Sequence, residues 1–277
     1  MRSIRLVVVD LDGTLIGVSG EPTPRVREAV AATREAGVSI AICTGRPLAS
    51  AAPIAHRLGL HGPHVTFNGA LVKDPEQATA VFRSPLPADC VGRLIDRCRA
   101  ADLCLELYTE ETHFVERDWS ESRRHAESIR VSYEFANFDE FIGRADLIKA
   151  QIVTADDRAR QAARAVAEEF AGRLSLSVAL PIGPAAGMEC VNVVAEGVSK
   201  GTAVRALVDW YGLDVSQVAG AGDAANDLPM LEAVGYRIAM GNAEPAVKAR
   251  ADLICADVDS DGLAEALLRI TNIEARI

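Results

Sequence analysis

Four carboxylates stand at the ends of two apolar runs. Asp10 and Asp12 close the segment IRLVVVDLDGTL at residues 4–15, and Asp223 and Asp227, with Asn226 beside the second, lie in GDAAND at 222–227. Acidic side chains crowded at a strand end repel each other and are costly to desolvate, so they ask for a cation or a shared proton. One carboxylate from each cluster, a backbone carbonyl, a phosphate oxygen and waters would fill the near-octahedral oxygen shell of Mg²⁺. The chemistry indicated is Mg²⁺-dependent phosphoryl transfer. Gly13 and Thr14 offer a turn and a hydroxyl or backbone donor for phosphate. Thr44, Gly45 and Arg46 follow another apolar run, where a hydroxyl and backbone N–H groups can cradle a phosphoryl group and Arg46 can reach its edge. Lys200, flanked by Gly197 and Gly201, begins a helix, where a cation opposes the dipole. That local conflict favours a lysine held for an anion.

Each signal also has a plainer reading. Asp and Gly make ordinary surface turns, Asp227 serves equally as a helix cap, Thr-Gly is a common turn, and most lysines are solvated. An EF-hand fits poorly, because Gly13 comes too early in the loop. A dinucleotide loop fits poorly too, since GAGD lacks the following glycine and puts Asp223 where a pyrophosphate needs room. His61 and His64 read as loop or surface residues. Six cysteines without CxxC spacing suggest a reducing, cytoplasmic setting and no structural zinc.

The elements that must position these residues alternate. Residues 4–9 read as a buried parallel strand, Thr23 and Pro24 start a helix that stops at Gly37, and strand 38–43, helix 47–58, strand 64–67 and an Asn68-Gly69 turn follow. This β-α-β-α-β rhythm predicts a parallel sheet covered by helices on both faces, an α/β fold. The rhythm breaks at Lys73–Pro87, a linker around a short β-like piece. Helix 88–101, strands 102–108 and 112–117, strand 147–153, helix 156–170 and alternating strand 174–180 then suggest an α+β unit, an antiparallel sheet helix-covered on one face. After PIGPAAG the αβ rhythm resumes at residue 188, with Ser199 capping helix 200–211. The reading is therefore a core of residues 1–83 plus 188–277 interrupted by an inserted cap at 84–187.

With 277 residues, 49% of them apolar, the chain can bury a large core. A formal charge of -10 disfavours nucleic acid or an anionic membrane as partner. The apolar run before Asp10 is too short for a signal peptide, and no segment approaches a membrane span. A monomer or homodimer acting on a small anionic molecule is expected.

DLDGTL, TGR, NGA, VSKG and GDAANDLPML, in this order over nearly the whole chain, resemble the haloacid-dehalogenase-like phosphatase superfamily, specifically its Cof-type branch with an α/β cap between the second and third motifs. The resemblance implies a Rossmann-like three-layer core and a Mg²⁺-dependent phosphatase working through an aspartyl-phosphate. It implies Asp10 as nucleophile and Asp12 as general acid and then base. Thr44 and Lys200 would bind phosphate, with Gly45, Arg46 and Asn68 as further contacts. Asp10, the Asp12 backbone carbonyl, Asp223 and Asp227 would hold Mg²⁺, with Asn226 between them and phosphate. The substrate class implied is a sugar phosphate or similar metabolite, read by cap residues such as Glu106, Tyr108 or Trp119. Alternatives are a phosphosugar mutase, which needs a bisphosphate primer, and a non-catalytic binding or scaffold protein, which should show an eroded motif. Ala224 replaces a small polar residue frequent in relatives, at the cost of one minor hydrogen bond.

Overall fold

The computed structural model describes residues 3–271. Its first half-core runs β1 (Leu6–Val9), α1 (Pro24–Glu35), β2 (Ser39–Ile42), α2 (Leu48–Arg57) and β3 (His64–Thr66). Thr23 caps α1 by accepting from Val26 N, with Pro24 in the first turn where its missing N–H costs nothing. Residues 67–69 make a single turn, and β4 (Leu71–Lys73) and β5 (Phe82–Arg83) fold back on β3 as a small antiparallel sheet. The short β-like piece expected within residues 73–87 is β5, paired with β4 at Leu71 and Val72.

The inserted unit follows as α3 (Ala88–Ala100), β6 (Cys104–Tyr108), β7 (His113–Val115), α4 (Ser120–Ile129), β8 (Tyr133–Phe135), β9 (Lys149–Thr154), α5 (Asp157–Glu169), β10 (Leu174–Ala179) and β11 (Glu189–Ala195). Its six-stranded sheet has the order β10-β11-β9-β6-β7-β8, antiparallel except for β7 with β8. One face, with Leu105, Leu107, Ala150, Ile152, Val191 and Val193, packs under α3 and α5. The pleat sends Glu106, Tyr108, Lys149, Gln151 and Asn192 to the other face. α4, which the sequence reading did not place, packs on part of that second face.

The expected return to the parallel sheet at residue 188 is corrected. Glu189–Ala195 pairs antiparallel with both β9 and β10, so it is a strand of the inserted unit, and the chain goes back only at the turn before Ser199. Its alternation, Cys190 and Asn192 on one face and Val191 and Val193 on the other, belongs to a sheet with unlike faces.

From there the chain adds α6 (Lys200–Tyr211), β12 (Val218–Gly222), α7 (Leu228–Glu232), β13 (Tyr236–Ala239), α8 (Pro245–Lys248), β14 (Leu253–Ile254) and α9 (Gly262–Ile270). The main sheet is parallel throughout, in the order β14-β13-β12-β1-β2. β1 lies between two neighbours and under helices, which is why all four of its residues are apolar and fully buried. Val9 is in register with Ala221 of β12 and Ile42 of β2, so Asp10, Thr44 and Asp223 emerge at one carboxyl edge. Ligands bind at that edge in open α/β sheets.

Candidate active site

The first loop is closed by its own backbone. Asp10 N donates to Ala221 O at 2.9 Å, and Leu15 and Ile16 both donate to Leu11 O, turning the chain sharply at Leu11. Asp10 and Asp12 therefore face different partners. Gly13 has φ of +83°, and a Cβ on it would sit 2.3 Å from Asp223 Oδ2, so only glycine lets the two acidic loops meet. Thr14, a candidate phosphate donor by sequence, instead donates its hydroxyl to Asp223 Oδ1 at 3.0 Å.

Lys200 is the electrostatic centre. Ser199 caps α6 by accepting from Thr202 N while the Thr202 hydroxyl accepts from Ser199 N, which fixes the helix start. The buried Lys200 Nζ donates to Asp10 Oδ1 at 2.5 Å and to Asp227 Oδ1. Against the cost of burial, Asp10 and Asp227 hold its pKa well above the ordinary lysine value. Asp227 Oδ2 also accepts from Asp223 N and Ala224 N at 2.9 and 3.0 Å. Asp227 precedes α7 without a side-chain cap bond to it, so the helix-cap reading is corrected: one oxygen takes Lys200 and the other closes the loop before it.

Oxygens of Asp10, Asp223 and Asp227 lie within 4.8 Å of one another. Burial, then the charge of Asp227, pushes Asp10 well above the carboxylate range, and Lys200 offsets this only in part. Burial and Asp227 likewise raise Asp223 to about 7. Three hard oxygen donors carrying more negative charge than one lysine neutralises fit a divalent cation.

Asp12 points elsewhere. Arg46, expected at the edge of the phosphate, forks onto it, with Nε 2.7 Å from Oδ2 and Nη2 on Oδ1. Arg46 Nη1 donates to Ser50 Oγ at 3.2 Å, and Ser50 Oγ donates to the Ile129 carbonyl at the end of α4, 2.5 Å away. The Thr44 hydroxyl accepts from Arg46 N at 3.1 Å. Asn68, in the left-handed region at φ 55°, receives the Asn226 amide at 3.5 Å.

A cavity of about 530 Å³ joins these groups. Asp10, Asp12, Thr44, Gly45, Arg46, Asp223 and Asn226 line its core side, and Tyr108, His125, Lys149, Gln151 and Asn192 its cap side. Lys200, Asp227 and Asn68 are buried beside it, each bonded to a residue that lines it. Asn242 escaped the sequence reading, yet its amide donates to Gly13 O at 2.9 Å and lies 3.4 Å from Asp223 Oδ2. Its signal was present: Gly241-Asn242 follows an apolar strand, as the other loops do. His64, expected in a loop or on the surface, is a fully buried β3 residue whose Nδ1 faces Ile42 N, because β3 bridges to the edge of the main sheet at Cys43–Val65. Trp119 packs away from the cavity under the Arg117 guanidinium.

The sequence model of haloacid dehalogenase-like hydrolases matches residues 7–267. The chain belongs to this family. Among its relatives is pyridoxal phosphate phosphatase YbhA of Escherichia coli, 27% identical, with 94% of this chain and 96% of the relative covered. The 5-amino-6-(5-phospho-D-ribitylamino)uracil phosphatase YitU of Bacillus subtilis is 26% identical over 95% of this chain and 96% of its own. A haloacid dehalogenase-like hydrolase from Bacteroides thetaiotaomicron superposes with a TM-score of 0.85 at 26% identity, covering 97% of this chain and all of its own. This haloacid dehalogenase-like chain is a phosphoric monoester hydrolase. Among the described residues no helix is long and apolar enough to cross a membrane.

Proposed function

We propose that the chain is a Mg²⁺-dependent phosphatase that hydrolyses a small phosphorylated metabolite, a sugar phosphate or similar monoester, through an aspartyl-phosphate on Asp10, in a cytoplasmic setting. The observation that carries this is the separation of the two loop carboxylates. Asp10 is tied to Lys200 and the acidic cluster, whereas Asp12, two residues on, is tied to Arg46 on the cavity wall. That separation supports a division of labour in which Asp10 attacks phosphorus and Asp12 serves the leaving oxygen.

Asp10 attacks phosphorus as the phosphorus–oxygen bond to the leaving group breaks, and Asp12 delivers the proton to that oxygen. Water then attacks the phosphorus of the aspartyl-phosphate, Asp12 takes the water's proton, and Asp10 is released as carboxylate. Lys200 and Thr44 hold the phosphoryl oxygens, with Gly45, Arg46, Asn68 and Asn226 as further contacts. Asp10, Asp223, Asp227 and the Asp12 backbone carbonyl would hold Mg²⁺, whose charge keeps the raised carboxyls ionised and offsets the repulsion between two anions. The unit between about residue 84 and the turn before Ser199 acts as the cap over this site. YbhA and YitU are named for pyridoxal phosphate and for 5-amino-6-(5-phospho-D-ribitylamino)uracil, which supports a small-molecule monoester here.

The test is inorganic phosphate release from a panel of sugar phosphates, nucleotides, pyridoxal phosphate and an aryl phosphate, with Mg²⁺ or with EDTA, by wild type and Asp10→Asn. Turnover that needs Mg²⁺ and disappears in the variant is expected. A folded wild type that releases phosphate from none of them sinks the proposal.

A further inference from the structure

Strand register lays a polar row across the sheet face that looks onto the catalytic cavity. Ser177, Asn192, Gln151 and Glu106 are successive cross-strand neighbours on β10, β11, β9 and β6, and Lys149 stands opposite Tyr108 in the adjoining row. Most of this array satisfies itself. Glu106 Oε2 accepts from Tyr108 Oη at 2.6 Å and from Gln151 Nε2 at 3.3 Å, and lies 2.8 Å from His125 Nδ1.

Lys149 differs from its neighbours. Only 3% of it is exposed, and its ammonium donates to two neutral acceptors, Gly45 O at 3.1 Å and Gln151 Oε1 at 2.6 Å. Its Nζ also lies 5.5 Å from the Tyr108 ring centroid. Among the described residues it forms no ion pair, and these two acceptors take only two of its three N–H bonds. A buried charge without a counter-ion is strongly unfavourable. Burial pushes its pKa down to about 8, offset only in part by Cys190 and Glu106. The other ionisable groups around the same cavity are Tyr108, His125 and Cys190 from the cap, and Asp10, Asp12, Arg46, Asp223 and Glu244 from the core.

Another wall of the cavity is apolar. Val178, Leu180, Pro181 and Ile182, at the end of β10 and in the turn after it, join Ile129 of α4 there. Val178 and Leu180 remain 48% and 68% exposed. A polyol would set hydroxyls against this wall and bring the ammonium no counter-charge, whereas a ring with apolar faces and one anionic edge satisfies both.

We propose that the leaving group is an aryl or heteroaryl ring bearing an ionised oxygen, carboxylate or phenolate, with the ring on the Ile129 and Val178–Ile182 wall and the oxygen on Lys149. The inference rests on the phosphatase reading above and narrows it away from simple sugar phosphates.

The experiment measures phosphate release with Mg²⁺ from 3-carboxybenzyl phosphate, benzyl phosphate and glucose 6-phosphate, by wild type, Lys149→Met and Lys149→Arg. Wild type is expected to favour the carboxylated ring over benzyl phosphate by about tenfold in kcat/KM, the size of one charge-assisted hydrogen bond, and to favour both over glucose 6-phosphate. Lys149→Met brings the ratio of the two aryl substrates to near one, through KM, and Lys149→Arg restores part of it. In wild type the KM for the carboxylated substrate rises as pH passes about 8, and that for benzyl phosphate does not.

Equal use of the two aryl substrates by wild type, a preference for glucose 6-phosphate, or a ratio that survives in Lys149→Met overturns the inference and leaves the phosphatase reading standing. Release from none of the three, together with a silent panel above, overturns both.

Discussion

Single atoms decide whether the two acidic loops can meet. Gly13→Ala forces a side chain into a left-handed backbone and onto Asp223, so a loss of roughly 1–3 kcal/mol in urea unfolding is expected, with metal-dependent turnover falling well below wild type. Retention of both would mean the loop has another way to place its carboxylates. His64 carries a pH dependence of its own. Burial lowers it from 6.5 to about 4, so it is neutral in the fold, and between those values only the unfolded chain binds the proton. Stability present above pH 6.5 is therefore lost as pH falls towards 4, by roughly 3 kcal/mol at 1.36 kcal/mol per pH unit. His64→Leu removes that slope while losing the acceptor facing Ile42 N. Unfolding free energies at pH 7 and pH 4.5 should differ less in the variant than in wild type; an unchanged difference would assign the acid sensitivity elsewhere.

At the scale of elements, α6 acts as a ruler for the phosphate site. Its start is fixed by the Ser199 capping box, and Gly201 lets its first turn approach α7 so closely that a Cβ would lie 2.2 Å from Pro229 O. The helix thereby holds a lysine at its first position against the dipole, where Asp10 and Asp227 repay the conflict. Ser199→Ala should cost about 1 kcal/mol as a lost N-cap. Gly201→Ala should cost about 1–3 kcal/mol by overpacking, and should lower kcat because the whole turn carrying Lys200 moves. Thermal melts alongside steady-state kinetics check both, and a Gly201→Ala enzyme with wild-type kcat would show that Lys200 tolerates the shift.

Across the whole molecule, the two units meet through a buried apolar cluster, in which Phe67, Ala70 and Leu71 pack with Tyr108, Ile148 and Val194, and through polar contacts beside the site. Ser50 takes the Arg46 guanidinium and donates to the Ile129 carbonyl, Lys149 reaches Gly45 O, and Arg130 at the end of α4 pairs with Glu21 of the core, which also holds Arg57. The exposed Glu21 cluster is worth little and is screened by salt. The buried Ser50 bond matters more, because it joins cap position to the residue that holds Asp12. Ser50→Ala is expected to lower kcat/KM about fivefold, the value of roughly 1 kcal/mol for one buried hydrogen bond, with Arg130→Ala much milder and salt-dependent. Equal effects of the two would place the coupling in the exposed ion pairs.

The amino-acid sequence by itself pointed to the parallel core and to the segments whose Asp10, Asp12, Thr44, Lys200, Asp223 and Asp227 the fold gathers at one edge. These are local features, an apolar run followed by a turn, and each carries its signal within about ten residues. It did not reveal α4, whose SESRRHAESI buries only Ser122, His125 and Ile129 and so lacks an apolar stripe. Nor could it assign β11, since alternation reports two unlike faces and not which sheet supplies the partners. Only the tertiary structure set Arg46 on Asp12 and assembled residues 106, 149, 151, 177 and 192 into one polar face. Those positions lie on four strands far apart in the chain, and their register is settled by burying the apolar face beneath α3 and α5.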